Sequence, residues 1–271
     1  MHIKAGLKKE YLLFSRTFKL WGILIAFMAF AIVDPLLFKA LEAFAASMGS
    51  AVDAGELVAQ SMGAVEFSAG IGVMGALSDI TASGSLIMLL LMMATAGGEQ
   101  KKRSVIIPSC AGLTPMNYTL PKFIIYPLIV IIITFVATIV SAVTSILLFG
   151  GELDWLAVMG AGGLGALYMA FIVTAMLMMG ICTGRGGISA AVIYVLSSLL
   201  PIILSGFKAD RYNPFALKTM ALNVPLGEEI DSLNLIGSIA ITVILMLIFF
   251  FVTLFVQNAK KIDNEGNEAA L

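Results

Sequence analysis

Residues 123–149 read FIIYPLIVIIITFVATIVSAVTSILLF, 27 residues without one charged side chain. The hydrocarbon core of a bilayer is crossed by about 20 apolar residues of helix, so this stretch predicts a membrane-spanning helix. Working outward, apolar runs at 20–38, 80–96, 155–182, 188–206 and 234–257 repeat the pattern and bring the expected number of spans to six. Composition agrees, because 60% of residues are hydrophobic and 12% charged, against about 45–50% and 25% in a soluble domain. With 271 residues, six spans of about 20 residues leave little for a separate soluble domain. The expected fold is therefore a single all-α membrane domain over 1–271. It comprises an entry helix at 1–19, a polar segment at 97–122, a longer one at 207–233 and a tail at 258–271.

Orientation follows from the rule that basic residues near spans favour the cytoplasmic side. With the N-terminus inside, inner segments hold Lys4, Lys8, Lys9, Arg16, Lys19, Lys101, Lys102, Arg103, Lys122, Arg185, Lys260 and Lys261. The outer segments hold Lys39, Lys208, Arg211 and Lys218, together with most acidic residues, Asp79 among them. This predicts a multi-pass protein of the cell membrane with both termini cytoplasmic. A cleaved leader is not expected, because Asp34, Lys39 and Glu42 separate the first apolar run from the small residues AFAAS at 43–47. Before that run, Ile3, Leu7, Phe14 and Phe18 gather near one helical face, with Lys4, Lys8 and Arg16 mostly elsewhere, as in an amphipathic helix lying at the interface.

Several chemistries are excluded. The only histidine is His2, so neither a Ser-His or Cys-His pair nor a histidine-based metal site is expected within the membrane. No G-x-x-x-x-G-K-[ST] loop occurs, so ATP hydrolysis by that route needs another chain. No catalytic residue, metal site or nucleic-acid partner is expected. Cys110 and Cys182 are too few for a disulfide framework and read as ordinary thiols. The 16 methionines lack accompanying Cys or His and read as adaptable apolar filling.

Asp34 is the one acid well inside a predicted run, a position that marks functional candidates. Three readings stand. It caps an outer helix that starts at Pro35, it contacts a substrate or ion, or it pairs with Lys39. In the third and fifth runs Pro127 and Pro201 free backbone carbonyls, and Ser197, Ser198 and Ser205 lie beside Pro201. Kinks with nearby hydroxyls can line a pathway; packing explains them equally well. Asp34, Ser197, Ser198 and Pro201 are the candidate pathway residues. GAGGLGA at 160–166 sets Ala161 and Gly165, and Gly162 and Ala166, at small-xxx-small spacing, which suits close helix contact within one subunit.

The segment 97–122, GGEQKKRSVIIPSCAGLTPMNYTLPK, opens with Gly97 and Gly98, which can end a helix. A short surface helix starting near Glu99 gains from its acidic first turn. Pro108 limits that helix, and Gly112, Pro115 and Pro121 break the chain beyond it. A solvated loop would account for the lysines and less well for two dozen mixed residues. Here the chain resembles the ABC-2 type permeases, the membrane subunits of ATP-binding cassette exporters. Many members carry, between spans two and three, a segment that starts with Glu. It continues through a small pair, an apolar run and a Pro-small element, and ends with Lys before span three. Glu99, Arg103-Ser104, Val105 to Ile107, Thr114-Pro115 and Lys122 take those places. Arg103 stands where Gly usually opens the pair, and Pro108 falls inside the expected helix. The short turn TGRGG, the entry helix and the long segment with YNPF at 212–215 extend the resemblance over nearly the whole chain.

The resemblance implies a dimer of this chain with itself or a paralogue. Two separate ATPase subunits that bind ATP and Mg dock beneath it, and alternating access moves a substrate outward. Glu99, Lys101, Lys102, Arg103, Val105, Ile106 and Ile107 would form the coupling helix that contacts the ATPase, and 207–233 would form re-entrant helices. A nearly uncharged interior disfavours small, highly charged cargo and favours lipid-like, peptidic or drug-like molecules. Two competitors are an ion- or proton-driven secondary transporter, for which Asp34 is the only carrier, and a non-transporting membrane immunity or interaction protein.

Overall fold

The computed structural model describes residues 3–48, 68–101, 114–206, 213–227 and 231–268, and among them every regular element is helical. The helices are α1 (Ile3–Arg16), α2 (Phe18–Met48), α3 (Ala69–Asp79), α4 (Ser85–Lys101), α5 (Pro115–Phe149), α6 (Trp155–Thr183), α7 (Gly186–Gly206), α8 (Ala216–Asn223) and α9 (Ser232–Glu268). A π-helical turn, Ile80–Gly84, joins α3 to α4, and a 3-10 turn, Val224–Leu226, follows α8. Six stretches are long and apolar enough to cross a membrane: Phe18–Phe44, Ala69–Gly97, Pro115–Phe149, Trp155–Thr183, Gly186–Leu204 and Ser232–Ala259. Helix is the expected outcome, since in hydrocarbon each backbone N–H and C=O must be satisfied within its own segment.

The spans alternate in direction, so the bundle has an α1 end and an α8 end. Span four, in α6, is the most buried and span six, in α9, the least. Small residues explain how α6 takes the centre. A Cβ on Gly162 would come 3.3 Å from Phe135 and Thr138 of α5, and one on Gly165 would come 3.1 Å from Leu77 of α3. The small-residue face therefore packs inside the chain.

Several boundaries differ from those read in the sequence, and each has a local cause. The third span begins at Pro115, not near 123, because Thr114 caps it: its hydroxyl accepts from Asn117 N at 3.3 Å, with proline in the first turn. Pro121 and Pro127 lie inside this helix and do not break it. Gly97 and Gly98 do not end α4, which runs on to Lys101. Gly97 serves close approach instead, since a Cβ there would meet the Gly186 nitrogen at 2.6 Å. That contact seats α4 on the turn at Gly184, whose φ of 68° suits glycine.

The second span starts at Ala69, so Asp79 lies inside it and not in an outer segment. Residues 69–79, AGIGVMGALSD, are rich in glycine and alanine and so lack the hydropathy of a lipid-facing run. They are nonetheless largely buried against other helices. Pro35 lies inside α2, which continues to Met48. Asp34 therefore does not cap a separate outer helix.

Candidate functional site

Charged side chains enter the apolar body of the bundle in two places. At the α1 end, the buried face of α1 is Gly6, Glu10 and Phe14, spaced four residues apart along one stripe. Of the residues that the sequence gathers near one face, Phe14 joins this buried stripe, while Ile3 is 42% and Phe18 72% exposed. Gly6 admits Pro121, whose Cγ would lie 2.8 Å from a Cβ there. Glu10 then meets Lys122 at 3.2 Å and accepts from the Tyr126 hydroxyl at 2.7 Å. Lys9 reaches the same carboxylate at 3.4 Å. The Lys122 ammonium lies 5.1 Å from the centre of the Tyr118 ring, and Phe14 packs edge-on to Tyr126 at 5.2 Å. Lys122 is fully buried within α5.

Nearer the α8 end, Asp34 is buried and its Oδ2 has no hydrogen-bond partner among the described residues. Its carboxyl faces that of Asp79, close enough for a hydrogen bond if one of the two holds a proton. Lys39 does not pair with Asp34; it binds Glu42 at 2.8 Å and lies over the Phe149 ring. The cation that senses Asp79 is Lys218 on α8. Burial holds its ammonium below the usual 10.5, and the Asp79 charge works against that shift.

Asp79 ends α3 where the π turn begins. Such turns insert an extra residue into a helix and recur at functional sites. The Thr81 hydroxyl donates to the carbonyls of Leu77 at 2.8 Å and Ser78 at 3.1 Å, and Ser85 donates to Ala82 O at 2.7 Å. These bonds satisfy carbonyls that the irregular turn disturbs. They also bring two hydroxyls to the wall of a cavity of about 340 Å³. Its remaining lining comes from Ala82, Tyr168 on α6, Tyr194, Ser197, Ser198 and Pro201 on α7, and Phe215, Lys218 and Thr219.

The approach of α8 supplies one wall of the cavity. Asn213 makes the entering turn, its side-chain oxygen accepting from Phe215 N at 2.9 Å. Phe215 packs edge-on to Phe171 at 5.7 Å, and Leu217 and Ala221 are fully buried. Lys218 and Thr219 thereby face the space between α4, α6 and α7.

Of the residues singled out in the sequence, Ser197, Ser198 and Pro201 come together on the cavity wall, while Asp34 is not part of the lining. Ser197 and Ser198 both donate to Tyr194 O, at 2.8 and 3.0 Å, about two turns before Pro201. Glu99 and Lys101 lie on the last turn of α4, whereas Lys102, Arg103, Val105, Ile106 and Ile107 lie outside the described residues. Glu10, Asp79, Tyr168 and Lys218 escaped sequence reasoning. Among the described residues no group of three or more His, Cys, Asp or Glu side chains could hold a metal ion. No protein-family model, curated protein or solved structure matches this chain.

Proposed function

We propose that this chain is the membrane-spanning subunit of an ATP-binding cassette exporter of the ABC-2 type. In this reading it pairs with a second permease copy or paralogue and moves a lipid-like, peptidic or drug-like substrate outward. ATP and Mg belong to a separate ATPase subunit. The observation that carries the reading is mechanical. Segment 97–122 begins on α4 and ends inside α5, so a partner pressing on it acts on both helices. The α4 side leads through continuous helix to Ser85 and the π turn at the cavity. On the α5 side, the Glu10–Lys122–Tyr126 cluster ties in α1. A switch of this kind works only if the partner contacts the lever differently in its two states. Residues 99–107 supply the lever, α1 supports it at the membrane surface, and the segment around α8 forms the re-entrant cap.

Co-expression with the products of neighbouring genes tests the reading, which expects an ATPase with a phosphate-binding loop among them. The two chains co-purify, ATP turnover changes on assembly, and Glu99→Lys combined with Lys101→Ala uncouples it. Absence of a nucleotide-binding partner, or turnover indifferent to those substitutions, overturns export coupling.

The facing carboxyls of Asp34 and Asp79 favour a second reading, proton-coupled transport, because acids inside a bundle recur in proton relays. That carrier loses transport in Asp34→Asn and ignores ATP depletion; the exporter stops when ATP is withdrawn.

A further inference from the structure

The cavity between α4, α6, α7 and α8 has an uneven supply of hydrogen-bond donors. The hydroxyls of Thr81, Ser85, Ser197 and Ser198 all donate to backbone carbonyls. What they turn toward the cavity is lone pairs. The Tyr168 phenol lies within hydrogen-bonding reach of Ser197. Donors in surplus are therefore the Tyr194 phenol, the Thr219 hydroxyl and above all the Lys218 ammonium, with three N–H groups. Lys218 is the one charged residue among the described lining residues, and it makes no hydrogen bond or ion pair with any described residue. Asp79 acts on it from outside the lining and itself faces Asp34.

A half-buried ammonium facing a partly open cavity is costly until an anion joins it. We propose that this cavity binds an anionic oxyacid group, a phosphate or carboxylate, with Lys218 as its counter-charge and Tyr194 as a second donor. The volume of about 340 Å³ lies at the small end of ligand pockets and admits a head group while leaving a long chain outside. The inference rests on the export reading and deepens it, by naming what distinguishes the cargo: one anionic group on an otherwise apolar molecule.

Binding is measured on the full chain purified alone in a nonionic detergent, so a failed titration overturns the site without touching the coupling tested by ATP turnover. Dodecyl phosphate, inorganic phosphate and dodecyltrimethylammonium are titrated by calorimetry. Saturable binding of a phosphate compound is expected, weakened at least tenfold in Lys218→Gln and retained in Lys218→Arg and Lys39→Gln. Preference for dodecyl phosphate assigns the anion to an amphiphile, and equal binding of inorganic phosphate assigns it to a free anion. Should Lys218→Gln fail to elute as a single species, Tyr194→Phe decides, with a loss of threefold or more expected. No saturable binding of either phosphate, affinity indifferent to these substitutions, or tighter binding of the cationic amphiphile overturns the proposal.

Discussion

Glu10 and Asp34 are both buried acids, 2% and 5% exposed, and their surroundings are opposites. Glu10 has a full set of partners in Lys122, Tyr126 and Lys9. Asp34 leaves one oxygen unpartnered among the described residues and turns toward another carboxyl. A satisfied buried network rigidifies and specifies geometry, whereas an unpaired buried polar atom carries its desolvation cost uncompensated. The acid at the α1 end thus has its partners supplied by the fold, and Asp34 does not.

The strongest way to break this contrast is Lys122→Met, which leaves Glu10 buried with Lys9 as its only cation among the described residues. Stranding one partner of a buried pair costs about 3–5 kcal/mol. The expected result is a large fall in thermal midpoint, or loss of the monodisperse peak on size exclusion. Adding Glu10→Gln should recover most of the loss, because removing both charges together avoids the unpaired one. A single variant as stable as wild type would remove the structural role of the cluster.

Next in size is Gly186→Ala. A Cβ there runs into the Met93 carbonyl of α4, whereas one on Gly187 meets nothing closer than the Met93 sulfur at 4.0 Å. Overpacking of this kind costs about 1–3 kcal/mol. Gly187→Ala should be neutral by the same thermal assay. Equal effects at the two positions would mean that α4 and α7 are not fixed against each other at the α1 end.

Asp34→Asn should do little to stability, shifting it by about 1 kcal/mol or less and in the stabilising direction, since it removes one of two facing like charges. A loss comparable to that of Lys122→Met would show Asp34 to be as fully partnered as Glu10 and would collapse the distinction.

How far these two sites could be read in advance depends on where their partners come from. The spans were legible because each is a local apolar run. Ser197, Ser198 and Pro201 were legible because a proline and its neighbouring hydroxyls lie within one helical turn. Glu10 was not, since beside Lys8 and Lys9 it looks like part of a solvated charge group, and its partner Lys122 is 112 residues away. The local signal that was present is the four-residue spacing of Gly6, Glu10 and Phe14. Asp79 was hidden by glycine and alanine residues that lower hydropathy while permitting burial. A search for the small-residue spacing of Gly72 and Ala76, which form part of the buried surface of α3, would have extended the span across it. The cavity itself could not be read, because Tyr168, Tyr194 and Lys218 are joined only by the packing of three separate helices.

The smallest expected effect is a difference between two pH profiles, and it isolates Lys218. Its ammonium is held below 10.5, chiefly by burial, so it loses its charge at lower pH than an exposed lysine. Anion binding needs the charged form. Affinity for dodecyl phosphate should therefore be present on the acidic side of that lowered value and fall as pH rises through it. Tyr168 and Tyr194 face the same cavity, and Asp79 acts on Lys218 from outside it. They are unchanged in Lys218→Arg, whose guanidinium stays charged throughout this range. The alkaline loss of affinity should begin at lower pH in the native chain than in Lys218→Arg. Superimposable profiles would assign the loss to groups other than Lys218 and separate Lys218 from the anion.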